Sequence, residues 1–149
     1  MNKRTAAWVF AILIAGWASA SMADPGRGSS IQCYVWANDA SHLIGEAYTP
    51  STIYSYNAVG RAAANTVTRT AVGIYVVTCK GLGGGALFSG SGSWSFGGHV
   101  QVTAYGSEDA DFCKVSSWGT GGADFTANVR CYNRLGNLSD NRFDLLFVW

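Results

Sequence analysis

The chain has 149 residues, with ten Lys and Arg against nine Asp and Glu and a formal net charge of +1. This balance leaves no basic field for nucleic acid, and no cationic amphipathic helix argues for membrane lysis. The composition is rich in Gly, Ser, Thr, Val and aromatic residues and poor in Leu, Glu and Lys, which favours strands and turns over helices.

The N-terminus divides into the three parts of a secretory leader. Lys3 and Arg4 supply the positive start, Ala6 to Ala18 is an apolar run, and small residues follow in Ala18-Ser19-Ala20 and Ser21-Met22-Ala23. Cleavage is expected after Ala23, because Asp24-Pro25-Gly26 opens a turn. The apolar run falls short of the roughly 20 residues that span a bilayer. The expected organisation is therefore a signal peptide over 1–23 and a single secreted domain over 24–149. That domain would lie in the periplasm or the medium, with no membrane span after cleavage. A chain of that size buries roughly two-thirds of its unfolded surface and supports its own core.

Short alternating runs separated by turn residues predict an all-β fold, an antiparallel β-sandwich with jelly-roll-like or Ig-like alternatives. Strands are expected at Ile31 to Ala37 and, briefly, at Ile53 to Asn57, with residues 40–52 irregular. Asn65 to Arg69 and Ile74 to Lys80 flank Thr70-Ala71-Val72-Gly73, which reads as a hairpin loop closing on Gly. His99 to Tyr105 sets Val100, Val102 and Ala104 on one face, and Phe112 to Trp118 and Phe125 to Tyr132 follow. Phe143 to Trp149 is apolar on both faces and is expected to be a central strand, with the final Trp docked.

The four cysteines, Cys33, Cys79, Cys113 and Cys131, all follow the leader, and an even number in an exported chain reads as disulfides. Three connectivities are open. An antiparallel hairpin with Cys113 opposite Cys131 also sets Val115 against Val129 and Ser117 against Ala127, so small and apolar residues share one face. Directly opposed cysteines can bridge. Cys33 then pairs with Cys79 by elimination. The same register puts Lys114 opposite Arg130, as two solvated cations or as a contact for a small anion or carboxylate.

The segments TVTRTAVGIYVVTCKGLG (66–83), GHVQVTAYGS (98–107), CKVSSWG (113–119), ANVRCYN (127–133) and DNRFDLLFV (140–148) resemble a family of bacterial exported β-rich domains with no assigned activity. With YVWANDAS (34–41) and YTPSTIYSYN (48–57), the likeness runs through nearly all of the chain after the leader. It implies an exported, all-β domain with Cys113 and Cys131 paired, and it carries no mechanism. Cys79 stands where that family has an aromatic residue, and the stretch 81–98 is longer than usual. The V-T-R-x-x-x-G-x-Y-x-V-T piece is also similar to hairpins of trimeric phage-fibre and collagen-associated head domains.

Candidate binding residues fall in two groups. GLGGGALFSGSGSWSFGG (81–98) sets Leu87, Phe88, Trp94 and Phe96 among glycines and serines. It reads either as a binding loop or as a hairpin tucking its rings into the core. Trp36, Tyr54, Tyr56, Trp118 and Tyr132 would form a carbohydrate platform if they shared a surface, and core or pleat packing if they did not. Candidate binding residues are thus Phe88, Trp94, Phe96 and Trp118.

Glu108, Asp109 and Asp111 form an acidic turn that lacks a twelve-residue calcium loop, and the cysteine spacing does not suit zinc. His42 and His99 belong to no recognisable catalytic triad, and no G-x-S-x-G elbow occurs. No catalytic residue, metal ligand or cofactor is expected. The expected function is a secreted, non-enzymatic module that binds an extracellular glycan or protein. The alternatives are a self-associating surface component, which the near-neutral charge permits, and a secreted inhibitor.

Overall fold

The computed structural model describes residues 31–60, 65–83, 98–106, 110–119 and 122–148. Nine strands occur among them: β1 (Ile31–Ala37), β2 (Ala47–Tyr48), β3 (Tyr56–Asn57), β4 (Asn65–Ala71), β5 (Ile74–Cys79), β6 (His99–Tyr105), β7 (Phe112–Gly119), β8 (Phe125–Tyr132) and β9 (Arg142–Val148). They form two antiparallel sheets, a four-stranded one in the order β3-β1-β9-β6 and a five-stranded one in the order β2-β4-β5-β8-β7. The fold is all-β and disulfide-stapled.

The period-two pattern sorts each strand between core and surface. Cys33, Val35 and Ala37 of β1 point inward with Phe143, Leu145 and Phe147 of β9. They meet Val67 of β4, Tyr75, Val77 and Cys79 of β5, and Phe125, Ala127, Val129 and Cys131 of β8. The sheets interlock through rings: Phe125 stacks on Phe147 with centroids 4.1 Å apart, and Tyr75 meets Phe143 edge-on at 5.2 Å. Such offset and edge-on contacts add to the gain from apolar burial.

The two disulfides do different work. Cys33–Cys79 joins β1 to β5 and crosses the core from one sheet to the other, with a Cα separation of 6.4 Å. Cys113–Cys131 joins neighbouring strands of one sheet, with Cα atoms 4.0 Å apart. The predicted register holds from Phe112 to Val115, with Lys114 opposite Arg130 and Val115 opposite Val129. It then slips. A bulge at Ser116 sets Ser117 opposite Asn128 and Trp118 opposite Ala127, in place of the expected Ser117–Ala127 pair. One extra residue in one strand of a pair turns every later side chain to the other face.

Three further expectations are corrected. The β4–β5 loop is shorter than the four residues 70–73, because Ala71 pairs with Ile74 and only Val72 and Gly73 form the turn. Gly73 has φ +67°, and a Cβ there would lie 2.7 Å from both the Cys131 carbonyl and the Ser139 amide. Within the segment read as irregular, Ala47 and Tyr48 pair with Thr68 and Val67 as the edge strand β2. β9 is central, between β1 and β6, as its sequence predicts. Its outer face is less apolar than expected, since it carries Arg142 and Asp144.

The chain-entropy argument ranks the bridges by the loop each closes. Replacing Cys33 and Cys79 (46 residues apart) by Ala is expected to cost about 4 kcal/mol, and replacing Cys113 and Cys131 (18 apart) about 3 kcal/mol. Urea unfolding of the two double variants measures both. A larger loss from the Cys113–Cys131 pair would contradict the ranking.

Candidate functional site

Because Cys33, Val35 and Ala37 face the core, Tyr34 and Trp36 face outward from the four-stranded sheet. The register then assembles rows across that face. Tyr34 lies opposite Tyr56 on one side and Leu146 on the other, and Leu146 lies opposite Gln101. One step along, Trp36 lies opposite Asp144, and Asp144 opposite Thr103. Tyr105 pairs with Arg142 at the end of the sheet.

Rings dominate this face. Tyr54, from the segment before β3, meets Trp36 edge-on at 4.8 Å, and Tyr105 stacks beside Trp36 at 6.1 Å and 25°. The Trp36 amide donates to the Ser55 hydroxyl at 3.4 Å, which ties the Tyr54 segment to β1. Tyr54 is 56% exposed and Tyr56 52% exposed, while Tyr34, Trp36 and Tyr105 are half-buried.

Asp144 sits among these rings. Burial raises the Tyr34 pKa above the usual phenol value, and a hydrogen bond to Asp144 and the charge of that carboxylate raise it further. Tyr105 is pushed up to about 12, first by burial and then by the Asp144 charge, against a lowering influence from Arg142 and the Trp36 indole. The indole is near, but no group meets hydrogen-bonding geometry with the Tyr105 hydroxyl. That hydroxyl and Asp144 Oδ1 are both buried without a hydrogen-bond partner.

Beside β3 lies a cavity of about 630 Å³ lined by Thr52, Ser55, Tyr56, Asn57, Ala58, Gly60 and Asn65. Its floor is a pair of buried amides. Asn57 Nδ2 donates to Asn65 Oδ1 at 2.9 Å and to the Lys80 carbonyl at 3.0 Å, and Asn57 Oδ1 accepts from the Val59 amide. Asn65 Nδ2 donates to the Tyr56 and Tyr34 carbonyls. These amides are spent on joining the two sheets. The polar side chains left to meet a ligand are those of Thr52, Ser55 and Tyr56.

The expected five-ring platform therefore divides. Trp36, Tyr54 and Tyr56 lie on this face, whereas Trp118 and Tyr132 belong to the other sheet. The bulge at Ser116 turns Trp118 toward the core edge, where its ring tilts against Phe125 at 6.3 Å and Phe147 at 6.2 Å, and it remains 40% exposed. Tyr132 stacks on Phe112 at 5.1 Å and carries Lys114 over its ring. Leu87, Phe88, Trp94 and Phe96 lie outside the described residues, as do Glu108 and Asp109. Asp111 accepts from Asn141 Nδ2 at 2.7 Å. The sequence does not single out Tyr34, Tyr105 and Asp144 as site residues, although each takes the outward step of a legible alternation.

His42 and two of the carboxylates make contacts within and between the loops. His42 Nδ1 lies 2.9 Å from Asp39. Asp140 accepts from Arg69 Nε at 2.9 Å and Nη2 at 2.6 Å, from the Gly73 amide at 2.8 Å and from the Tyr75 hydroxyl at 3.1 Å. Arg69 Nη1 also donates to the His42 carbonyl at 3.2 Å. Burial opposes ionisation of Asp140, yet these donors hold its pKa below the usual carboxylate value. Among the described residues no group of three or more His, Cys, Asp or Glu could hold a metal ion.

Fold and face together define an all-β sandwich with two disulfides, whose four-stranded sheet presents a ring-lined, carboxylate-bearing outer surface. Comparison with family models, curated proteins and solved structures finds no match to this chain.

Two outcomes follow from these contacts. Asp140→Ala strips one acceptor from Arg69, Gly73 and Tyr75 at once and is expected to cost about 2–3 kcal/mol in urea unfolding. A loss under about 0.5 kcal/mol, typical of a plain surface change, would contradict the network. Burial pushes Tyr48 and Tyr105 to about 12, with Tyr75 raised further. The neutral phenols are thus favoured by the fold. Their contribution is complete below the ordinary value of about 10 and is lost as pH rises through about 12. Ultraviolet titration should show a late group of phenols ionising as the circular dichroism of the fold collapses. Ionisation of every phenol near 10 with the fold intact would contradict this.

Proposed function

We propose that the chain is a secreted, non-enzymatic binding module that holds a glycan against the outer face of its four-stranded sheet. The observation that carries this reading is the set of rings that Tyr56, Tyr34, Trp36, Tyr54 and Tyr105 bring to one face, Trp36 in contact with Tyr54 and Tyr105, with polar side chains among them. The C–H faces of a sugar ring stack on aromatic rings, and its hydroxyls find partners in neighbouring Thr, Ser, Gln and Asp side chains. Thr103, Gln101 and Ser55 supply such groups here. A half-exposed ring surface on a rigid sheet costs little ordering entropy when a ligand arrives.

The leader over 1–23 and the two disulfides support an exported site of action, periplasmic or extracellular, since disulfides persist in oxidising compartments. A second reading, self-association at a surface, draws on a different observation. Leu43, Ile44, Val72, Leu135 and Leu138 are all exposed, and they stand on loops that Arg69 and Asp140 link together. A concentration-independent monomer in sedimentation would count against it.

The glycan reading is tested by retention of the chain 24–149 on insoluble cellulose, chitin and peptidoglycan. At least one matrix is expected to retain it. Trp36→Ala should weaken retention by about tenfold or more, the loss typical of a central aromatic contact, and Trp118→Ala should leave it unchanged. Retention by none of these matrices would overturn the reading.

A further inference from the structure

The binding face contains a carboxylate that is only partly answered among the described residues: the Tyr34 hydroxyl hydrogen-bonds to Asp144, but one of its oxygens has no donor. Asp144 Oδ1 is buried and without a hydrogen-bond donor, and so is the Tyr105 hydroxyl beside it. Among the described residues Asp144 forms no ion pair. Arg142 lies two residues away on the same side of β9, exposed and opposite Tyr105. Leaving a carboxylate oxygen buried and unmatched is costly, and native proteins retain few such atoms. The cross-strand partner of Asp144 is Trp36, the ring at the centre of the face.

We propose that this face selects glycans bearing free amines, with Asp144 as the counter-charge and the rings of Trp36, Tyr54 and Tyr105 as the walls. The inference rests on the glycan reading above and names its ligand class. A sugar ammonium donates a charge-assisted hydrogen bond to the unmatched carboxylate oxygen. The negative faces of indole and phenol rings attract the same cation, most strongly where water is excluded. The unpartnered Tyr105 hydroxyl accepts a second ammonium hydrogen. A neutral or N-acetylated sugar stacks on the same rings but carries no charge to set against Asp144. Tyr54 is the most exposed ring touching Trp36 and stands on the segment before β3, so it is the wall with most room to turn as the ligand enters.

The test compares two oligomers of one backbone, a chitosan hexamer with free amines and a chitin hexamer with the amines acetylated, by calorimetric titration in mildly acidic buffer. The wild-type chain 24–149 is expected to bind the chitosan hexamer about tenfold more tightly. Asp144→Asn, which keeps the side-chain shape, should bring the two affinities together while binding of the chitin hexamer persists. Equal affinities in the wild type would overturn amine selection and leave the glycan reading standing. A preference that survives in Asp144→Asn would overturn the role of Asp144. Failure to bind either hexamer would overturn the amine proposal, and the glycan reading would then stand or fall on the other matrices. The wild-type comparison needs no variant to fold.

Discussion

The covalent tie between Cys33 and Cys79 is the constraint on which the rest depends. Both sulfur-bearing residues are fully buried, and they lock β1 of one sheet to β5 of the other across the core. Fixing Cys33 inward fixes the phase of β1, because side chains alternate with a period of two. Val35 and Ala37 follow it into the core, and Tyr34 and Trp36 are forced onto the opposite surface. One bond thus sets both the packing of the sandwich and the position of its most aromatic surface. The ring contacts of Phe125 with Phe147 and of Tyr75 with Phe143 then fill the space that the bridge defines.

A second set of contacts holds the loops at the far end of the hairpin. Arg69 and Asp140, 71 residues apart in the chain, bring together the 38–46 loop, the β4–β5 turn and the approach to β9. Tyr75 spans both worlds, with its ring in the core and its hydroxyl on the Ala40 carbonyl and Asp140. The buried Asn57–Asn65 pair does the same service near β3. Among the described residues the buried polar side chains are otherwise paired, which is why the unmatched oxygen of Asp144 and hydroxyl of Tyr105 stand out.

Much of this was legible in the sequence. The strict alternation of His99 to Tyr105 located β6 to the residue, and the Cys113–Cys131 register gave both disulfides. The bulge at Ser116 was not legible, because an extra residue leaves no mark on a pattern of small polar side chains. Its consequence is that Trp118 turns toward Phe125 and Phe147, and Trp118 and Trp36 lie on different sheets besides. Which sheet a strand joins is a tertiary property that local alternation does not carry. Asp144 is not legible for a related reason: it sits in a run of apolar residues that marks a central strand, and such a run does not show which face its one charge takes. Tyr34 and Tyr105 were visible as outward residues, but only the register with β9 brings them to that charge.

The central claim is that the phase of β1 places the binding surface on the outside of the four-stranded sheet. Amide and indole proton–nitrogen spectra recorded during titration with the chitosan hexamer test it most directly. The account predicts shifts concentrated on the Trp36 indole and on the amides of Tyr34, Thr103, Tyr105 and Asp144, with the Trp118 indole unmoved. Shifts confined to Trp118, or to the 84–97 stretch, would contradict it.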